Sequence, residues 1–144
     1  MSKRIGAVIH LGIVIPSLEK ALAIYRDKFG IEDWEIAEHM DFFSDKIVNG
    51  EVGIDFRNAI HRGEDVEIEL IEPTADSIYK KWLDEHGPGI HHVKFATDMN
   101  YKELMDLSEK KPYLEICWPN GVPIVGYADF IEDAGTLIEL SNDQ

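Results

Sequence analysis

A single polar residue, His10, interrupts the segment IGAVIHLGIVI that runs from Ile5 to Ile15. A segment that is apolar on both faces of its pleat predicts a strand in the centre of a sheet. Ser17 then has the side chain of a helix N-cap, and apolar residues recur at helical spacing until Gly30, which is typical of a helix end. The segment therefore predicts a central strand that leads directly into a helix.

The rest of the first half has strand character. Strands are predicted at Trp34–His39, Lys46–Arg57 and Val66–Glu72, with turn signals at Asn49-Gly50 and Arg62-Gly63. The first half thus has the predicted order βαβββ.

The same order begins again after a helix predicted at Ala75–His86. The later elements are a strand at Ile90–Thr97, a helix from Tyr101 that ends near Pro112, and strands at Tyr113–Trp118, Val122–Phe130 and Thr136–Leu140. We therefore predict an α+β fold of two tandem βαβββ modules. Residues 1–74 form the first module and residues 75–144 form a linker helix with the second, and together they make one structural domain.

The two halves also match residue by residue. An offset of 82 places His10 on His92, and an offset of 70 places Glu69 on Glu139. Each half therefore offers a histidine on its first strand and a glutamate on its last strand. A tandem duplication is the simplest explanation of this pattern.

Two imidazoles and two carboxylates that converge in one cleft can bind a divalent cation. Imidazole suits zinc, nickel and cobalt, whereas carboxylates favour harder ions such as manganese. In octahedral coordination, four protein ligands leave two positions open for water or substrate, as a catalytic site requires. We predict one divalent metal ion (Zn, Ni, Co or Mn) bound by His10, Glu69, His92 and Glu139.

Each of these residues, taken singly, also fits an ordinary structural role. By strand periodicity alone, Glu69 lies on a solvated face, and a lone histidine such as His10 in an apolar strand is typical of a hydrogen-bonded core residue. The paired placement in two halves favours the metal site. Of the two adjacent histidines, His92 gives the better match to His10, so His91 is predicted to pack or to support a ligand.

Charge and composition exclude several classes of partner. The 144 residues include 14 basic and 28 acidic side chains, which gives a net charge of −14 and argues against nucleic acid and anionic membranes. Because no window approaches the roughly 20 apolar residues of a membrane span, we expect a soluble protein. The single cysteine, Cys117, cannot form an internal disulfide, and we expect a cytoplasmic location.

The motifs resemble those of the vicinal oxygen chelate superfamily, which includes glyoxalase I, methylmalonyl-CoA epimerase, extradiol dioxygenases and bleomycin-resistance proteins. The resemblance covers nearly the whole chain and is greatest for the epimerase-like branch. It is carried by residues 10–15 with the helix that follows, by Ile68–Pro73, by Gly89–Val93 and by Leu137–Leu140. It implies a curved mixed sheet around a metal-binding cleft, the same four ligands, and a homodimer.

The resemblance also implies a reaction, which is metal-assisted removal of a proton next to a carbonyl group. Glu139 is the implied base, and the implied substrate of an epimerase is an acyl-thioester. An epimerase needs a second acid or base on the opposite face of the carbon, and the local candidates are Glu51 and Asp55.

Two alternatives stay open. Characterised epimerases tend to have glutamine where Glu69 stands, whereas glyoxalase I has glutamate, which favours a lactoylglutathione lyase acting on a thiol adduct. A non-catalytic, resistance-type binding protein is the other alternative. The net charge of −14 argues against coenzyme A, whose phosphates need a basic patch. The candidates for such a patch are Lys80, Lys81, Lys94, Lys110 and Lys111.

Overall fold

The computed structural model describes residues 5–43, 45–49, 51–52, 54–74 and 76–142. These residues form an α+β fold around a ten-stranded mixed sheet that is curved and not closed, in agreement with the predicted class. The strands are β1 (Ile5–Val14), β2 (Glu35–Ala37), β3 (Ile47–Val48), β4 (Glu51–Val52), β5 (Phe56–Arg62), β6 (Glu67–Pro73), β7 (Gly89–Thr97), β8 (Leu114–Cys117), β9 (Pro123–Phe130) and β10 (Thr136–Ser141). The helices are α1 (Leu18–Phe29), α2 (Ile78–His86), α3 (Tyr101–Asp106) and α4 (Ile131–Ala134), and a 3₁₀ turn covers Asp41–Phe43.

The centre of the sheet is made by the first strand of each half. The strand order is β2-β5-β6-β1-β7-β10-β9-β8-β3-β4, with β1 antiparallel to β7. Strand β6 pairs in parallel with β1, and β10 pairs in parallel with β7. The last strand of each half thus lies beside the first strand of that half, as a duplicated unit requires. The division into modules of residues 1–74 and 75–144 stays a prediction.

Helix α1 begins and ends at the residues that the sequence indicates. The Ser17 side chain accepts a hydrogen bond from the Lys20 backbone N–H at 3.3 Å. Gly30 ends the helix at φ 71°, a left-handed conformation that glycine adopts at little steric cost. Most other elements lie within a few residues of their predicted positions, but α4 and the 3₁₀ turn were not predicted.

One prediction about the first half is wrong. The single strand predicted at Lys46–Arg57 is divided into β3, β4 and β5, and β3 pairs with β8 of the second half. The Asn49 side chain donates to the Tyr113 carbonyl at 3.0 Å and accepts from the Glu115 backbone N–H at 2.7 Å. These long-range bonds attach the β3–β4 hairpin to the far end of the sheet. Local periodicity carries no information about a partner strand that is more than 60 residues away.

The largest hydrophobic core contains residues of both halves. Phe56 and Val14 from the first half pack in one cluster with Tyr79, Ile116 and Leu137. Because this core is shared, neither half buries its apolar face alone. No helix in the described part of the chain is both long and apolar enough to cross a membrane.

Candidate metal centre

Four adjacent strands, in the order β6-β1-β7-β10, each contribute one residue to the candidate site. Gly12 on β1 is the register partner of both Glu69 on β6 and His92 on β7. His10 lies two residues before Gly12, and Glu139 lies two residues after Leu137, the register partner of His92. Because side chains alternate between faces along a strand, all four predicted ligands lie on one face of the sheet.

The donor atoms of these four residues converge, with all of them within 4.8 Å of one another. His10 Nε2 lies 3.3 Å from Glu69 Oε1 and 3.2 Å from His92 Nε2. His92 Nε2 lies 3.0 Å from Glu139 Oε1 and 3.6 Å from Glu69 Oε1. Ligands on one divalent ion lie about 3 to 4 Å apart, because each is about 2.1 Å from the ion. The residues therefore fit one ion with two nitrogen and two oxygen ligands.

The space for the His92 ring exists because residue 12 is a glycine. An alanine Cβ at this position would lie 1.9 Å from Cε1 and 2.2 Å from Nε2 of His92. The His92 ring also stacks on Tyr127, with 4.6 Å between centroids, and on His10, with 5.3 Å. The ring is fully buried among these residues, which fixes the direction of Nε2.

A second layer of side chains orients the candidate ligands. His10 Nδ1 lies 2.7 Å from Glu67 Oε1, and Asn58 Nδ2 donates to Glu69 Oε2 at 2.7 Å. A carboxylate that accepts from Nδ1–H leaves the lone pair on Nε2, as a metal ligand requires. The alternation of β6 places Glu67 on the face of Glu69, so the sequence contains a signal for it. Nothing comparable indicates Asn58, because its contact depends on the pairing of β5 with β6.

In the absence of a metal, the neighbouring carboxylates favour the protonated form of both candidate histidines. Burial alone lowers the pKa of His92, but Glu139 and Glu69 outweigh that effect and raise the pKa to about 9. Burial also opposes the charged form of His10, yet Glu69 and Glu139 outweigh it and raise this pKa as well. Burial raises the pKa of Glu139, but the hydrogen bond and charge of His92 hold it below its ordinary value. A metal ion that binds here must displace these protons.

The site lies in a cleft of about 380 Å³. One side of the cleft carries His10, Glu67, Glu69 and Glu139, and the other residues are mainly apolar and aromatic, among them Met40, Phe43, Phe56, Tyr79 and Tyr127. None of the described residues that line it is lysine or arginine. The cleft therefore suits a compact, largely apolar group with an oxygen atom that can reach an ion held by the candidate ligands.

Of the two candidates for a second acid or base, the structure describes only the Asp55 side chain, and it does not line the cleft. Asp55 is absent from its lining residues, and its side chain is 41% exposed. The Asp55 carboxylate instead accepts hydrogen bonds from the Met40 backbone at 3.1 Å and the Thr74 hydroxyl at 3.3 Å, and it pairs with His39 at 3.0 Å. The Glu51 side chain lies outside the described residues.

None of the five candidate lysines lines the cleft. Lys80 pairs with Asp84 at 2.6 Å, and Lys110 lies 3.9 Å from Glu132. Lys94 Nζ donates to the Ser141 hydroxyl at 2.8 Å and lies 4.0 Å from Glu139 Oε2. Lys81 and Lys111 line two neighbouring cavities that meet at Asn49 and share no described lining residue with the cleft.

Comparison with known proteins gives a family match and several relatives. A family model described as the Glyoxalase/Bleomycin resistance protein/Dioxygenase superfamily matches residues 9–119. The uncharacterized protein YqjC of Bacillus subtilis (strain 168) is 29% identical over 136 residues, which cover 91% of this chain and 88% of YqjC. The mitochondrial methylmalonyl-CoA epimerase of Mus musculus is 28% identical over 110 residues, 75% of this chain. This chain spans 55% of the length of the mouse protein.

Solved structures of methylmalonyl-CoA epimerases share the fold. A variant of the Streptomyces coelicolor epimerase in complex with 2-nitronate-propionyl-CoA superposes with a TM-score of 0.62 at 20% identity, covering 96% of this chain and 98% of that one. The Mycobacterium tuberculosis epimerase superposes with a TM-score of 0.61 at 18% identity, covering 100% and 92%. At these identities the similarity establishes the architecture of the sheet and leaves the reaction to be argued from the site.

Proposed function

This chain belongs to the glyoxalase/bleomycin resistance protein/dioxygenase superfamily, and on that premise we propose that it is a divalent-metal-dependent isomerase or epimerase. It removes a proton from a carbon atom next to a carbonyl group. The observation that carries this proposal is the convergence of the donor atoms of His10, Glu69, His92 and Glu139. Three of these residues, His10, Glu69 and Glu139, line the cleft, and His92 is buried behind them. The relatives that are methylmalonyl-CoA epimerases support the same class of reaction.

The four residues would hold one divalent cation, and two further coordination positions would be open to the oxygen atoms of a substrate. When bound, the cation supplies a positive charge that polarises the carbonyl and stabilises the negative charge that develops on its oxygen. Because this charge grows as the proton leaves, the stabilisation is greater in the transition state than in the ground state.

Glu139 is the proposed base. Its carboxylate lies in the cleft, and its lowered pKa keeps it ionised at neutral pH, so that it can accept a proton. One oxygen, Oε1, faces His92 at 3.0 Å, whereas Oε2 lies 4.0 Å from the Lys94 ammonium. The two oxygens thus have different surroundings, and one can serve as a ligand while the other takes the proton.

An epimerase also needs a proton carrier on the opposite face of the carbon. Asp55 faces His39 and Thr74 instead of the cleft, so we do not propose it for this role. Glu51 stays a prediction from the sequence. The proposed substrate is a small-molecule acyl-thioester, and the homodimer and the cytoplasmic location also stay predictions.

A lactoylglutathione lyase of the glyoxalase I type is the second candidate, and the residue that favours it is Glu69. In this reaction, the substrate is the thiol adduct of glutathione and methylglyoxal, and the same base removes a proton from the carbon next to the ketone group of the adduct. The absence of lysine and arginine from the described lining of the cleft also favours a substrate without a coenzyme A moiety.

The two candidates are separated by one pair of assays on the metal-loaded protein in D₂O. The proposal predicts deuterium incorporation into methylmalonyl-CoA, and the incorporation should stop when a chelator removes the metal. Turnover of the glutathione–methylglyoxal adduct without such incorporation would replace the epimerase by the lyase. If the metal-loaded protein catalyses neither reaction, both candidates are contradicted and a resistance-type binding protein is favoured.

A further inference from the structure

His91 is buried directly beside a candidate metal ligand. It is 2% exposed, and its Nδ1 lies 2.9 Å from Nδ1 of His92, the next residue on β7. A hydrogen bond between two ring nitrogens contains one proton, so one ring donates and the other accepts. The direction of this bond determines which nitrogen of His92 carries a lone pair.

The rest of the site fixes that direction. His92 Nε2 is the nitrogen that faces the other candidate ligands, at 3.0 Å from Glu139 Oε1 and 3.2 Å from His10 Nε2. A His92 ring that ligates a metal through Nε2 carries its proton on Nδ1. His91 Nδ1 must then accept that proton, and the proton of a neutral His91 ring must lie on Nε2.

The surroundings of His91 agree with a role beyond ordinary packing. Four aromatic rings surround it, those of Tyr79, Trp82, Tyr113 and Tyr127, with centroids 5.0 to 5.9 Å away. Its Nε2 atom is buried and has no hydrogen-bond partner among the described residues. An apolar side chain would fill the space between these four rings without leaving a polar atom unpaired. The presence of a histidine here is therefore explained by the hydrogen bond that its other nitrogen makes.

We propose that His91 is a positioning residue of the metal centre. It accepts the Nδ1–H of His92 and thereby holds His92 in the tautomer and orientation that leave Nε2 free for a divalent cation. This inference concerns ion binding, and it stands whether or not the chain is an epimerase.

The two candidate histidine ligands have partners of different charge. His10 Nδ1 faces the carboxylate of Glu67, whereas His92 Nδ1 faces the imidazole of His91. Glu67, Glu69 and Glu139 already place three carboxylates around the site. A fourth carboxylate at position 91, among the aromatic rings, would bury a charge with no cation to pair with. A ring nitrogen accepts the proton without adding that charge.

A matched pair of variants tests the proposal. Asn and Leu have similar shapes, but only the Asn side chain can accept a hydrogen bond near the position of Nδ1. With Zn²⁺ and Co²⁺ as probes, we expect His91→Leu to weaken binding about 10- to 100-fold, the range typical of residues that orient ligands, and His91→Asn to weaken it less. If His91 only packs, the apolar variant will bind the ions as tightly as His91→Asn or more tightly, and that order overturns the proposal.

A measurement on the unchanged protein keeps the test independent of how the variants fold. In the Zn²⁺-loaded protein with ¹⁵N-labelled histidine, NMR should place the proton of His92 on Nδ1 and that of His91 on Nε2. A proton on His91 Nδ1 overturns the proposal. Neither experiment uses substrate, so failure of the epimerase assay and failure of this inference are separate results.

Discussion

The ring of His92 occupies the space that a side chain at Gly12 would take. The two residues are register partners on the central strands β1 and β7, and a Cβ on Gly12 would lie 1.9 Å from Cε1 of the ring. Contacts between such atoms do not occur below about 3 Å, so the ring and a side chain at residue 12 exclude each other. The glycine of β1 is therefore a part of the candidate metal centre, although it offers no ligand.

Gly12→Ala should displace His92 and weaken Zn²⁺ binding by about 100-fold or more, since a ligand is lost and not merely reoriented. Gly6→Ala on the same strand is the matched control, because a Cβ there would approach the Ala96 carbonyl to 3.4 Å, an ordinary contact. Isothermal titration calorimetry of both variants measures the difference. Equal affinities in the two variants would show that the close approach of Gly12 and His92 is not needed for the site.

The metal-free protein should lose stability as the pH rises from about 6.5 to 9. The pKa of His92 is raised from 6.5 to about 9, so its contribution is complete below pH 6.5 and is lost as the pH passes through the folded value. A shift of this size corresponds to about 3 kcal/mol in the free energy of unfolding. Urea denaturation in the presence of a chelator measures it. A free energy of unfolding that does not change over this pH range would contradict the raised pKa of His92.

The carboxylates contribute in a different pH range. The pKa values of Glu69 and Glu139 are lowered, so their contribution is present above the ordinary value of 4.5 and is lost only as the pH falls through the folded values. They therefore do not mask the loss expected from His92. The variant His92→Gln, which lacks the titrating group, should show a smaller dependence on pH between 6.5 and 9.

Asn49 should contribute to stability through both its side chain and its backbone. Its two side-chain hydrogen bonds attach the β3–β4 hairpin to Tyr113 and Glu115, and its φ of 49° is left-handed. Asn49→Gly should lose about 1 to 3 kcal/mol from the broken bonds, and Asn49→Ala should lose about 1 kcal/mol more from backbone strain. Urea denaturation tests both, with Asn120→Ala as the control, which removes only a local bond from the Val122 backbone N–H in an exposed turn. A loss no greater than that of the control would mean that the hairpin is held by other contacts.

The sequence was sufficient to place the four candidate ligands but not their environment. The matching order of elements in the two halves paired His10 with His92 at an offset of 82 and Glu69 with Glu139 at an offset of 70. Strand alternation then put all four on one face. The turn signal at Asn49-Gly50 lies between β3 and β4, but the pairing of β3 with β8 could not be predicted, because it links residues far apart in the chain. The same holds for the contact of Asn58 with Glu69 and for the space above Gly12, which exist only once strands are paired.

Glu139→Gln should separate the two roles of this residue. The amide keeps an oxygen that can face a metal, but it cannot accept a proton as a carboxylate does, so exchange of the substrate α-proton should fall by at least about 100-fold. Metal binding should weaken far less than exchange, and the fold should survive. Glu132→Gln, which alters an exposed carboxylate of α4, is the control. Near-normal exchange in D₂O by Glu139→Gln would remove this residue from the reaction.

The central claim is that His10, Glu69, His92 and Glu139 bind one divalent metal ion, and calorimetric titration of the metal-free protein with Zn²⁺ tests it most directly. We expect one ion per chain, no detectable binding by the double variant His10→Ala/Glu139→Ala, and unchanged binding by His39→Ala/Asp55→Ala, which removes a histidine–carboxylate pair outside the site. No bound ion in the unaltered protein, or equal affinity in the two double variants, would contradict the claim.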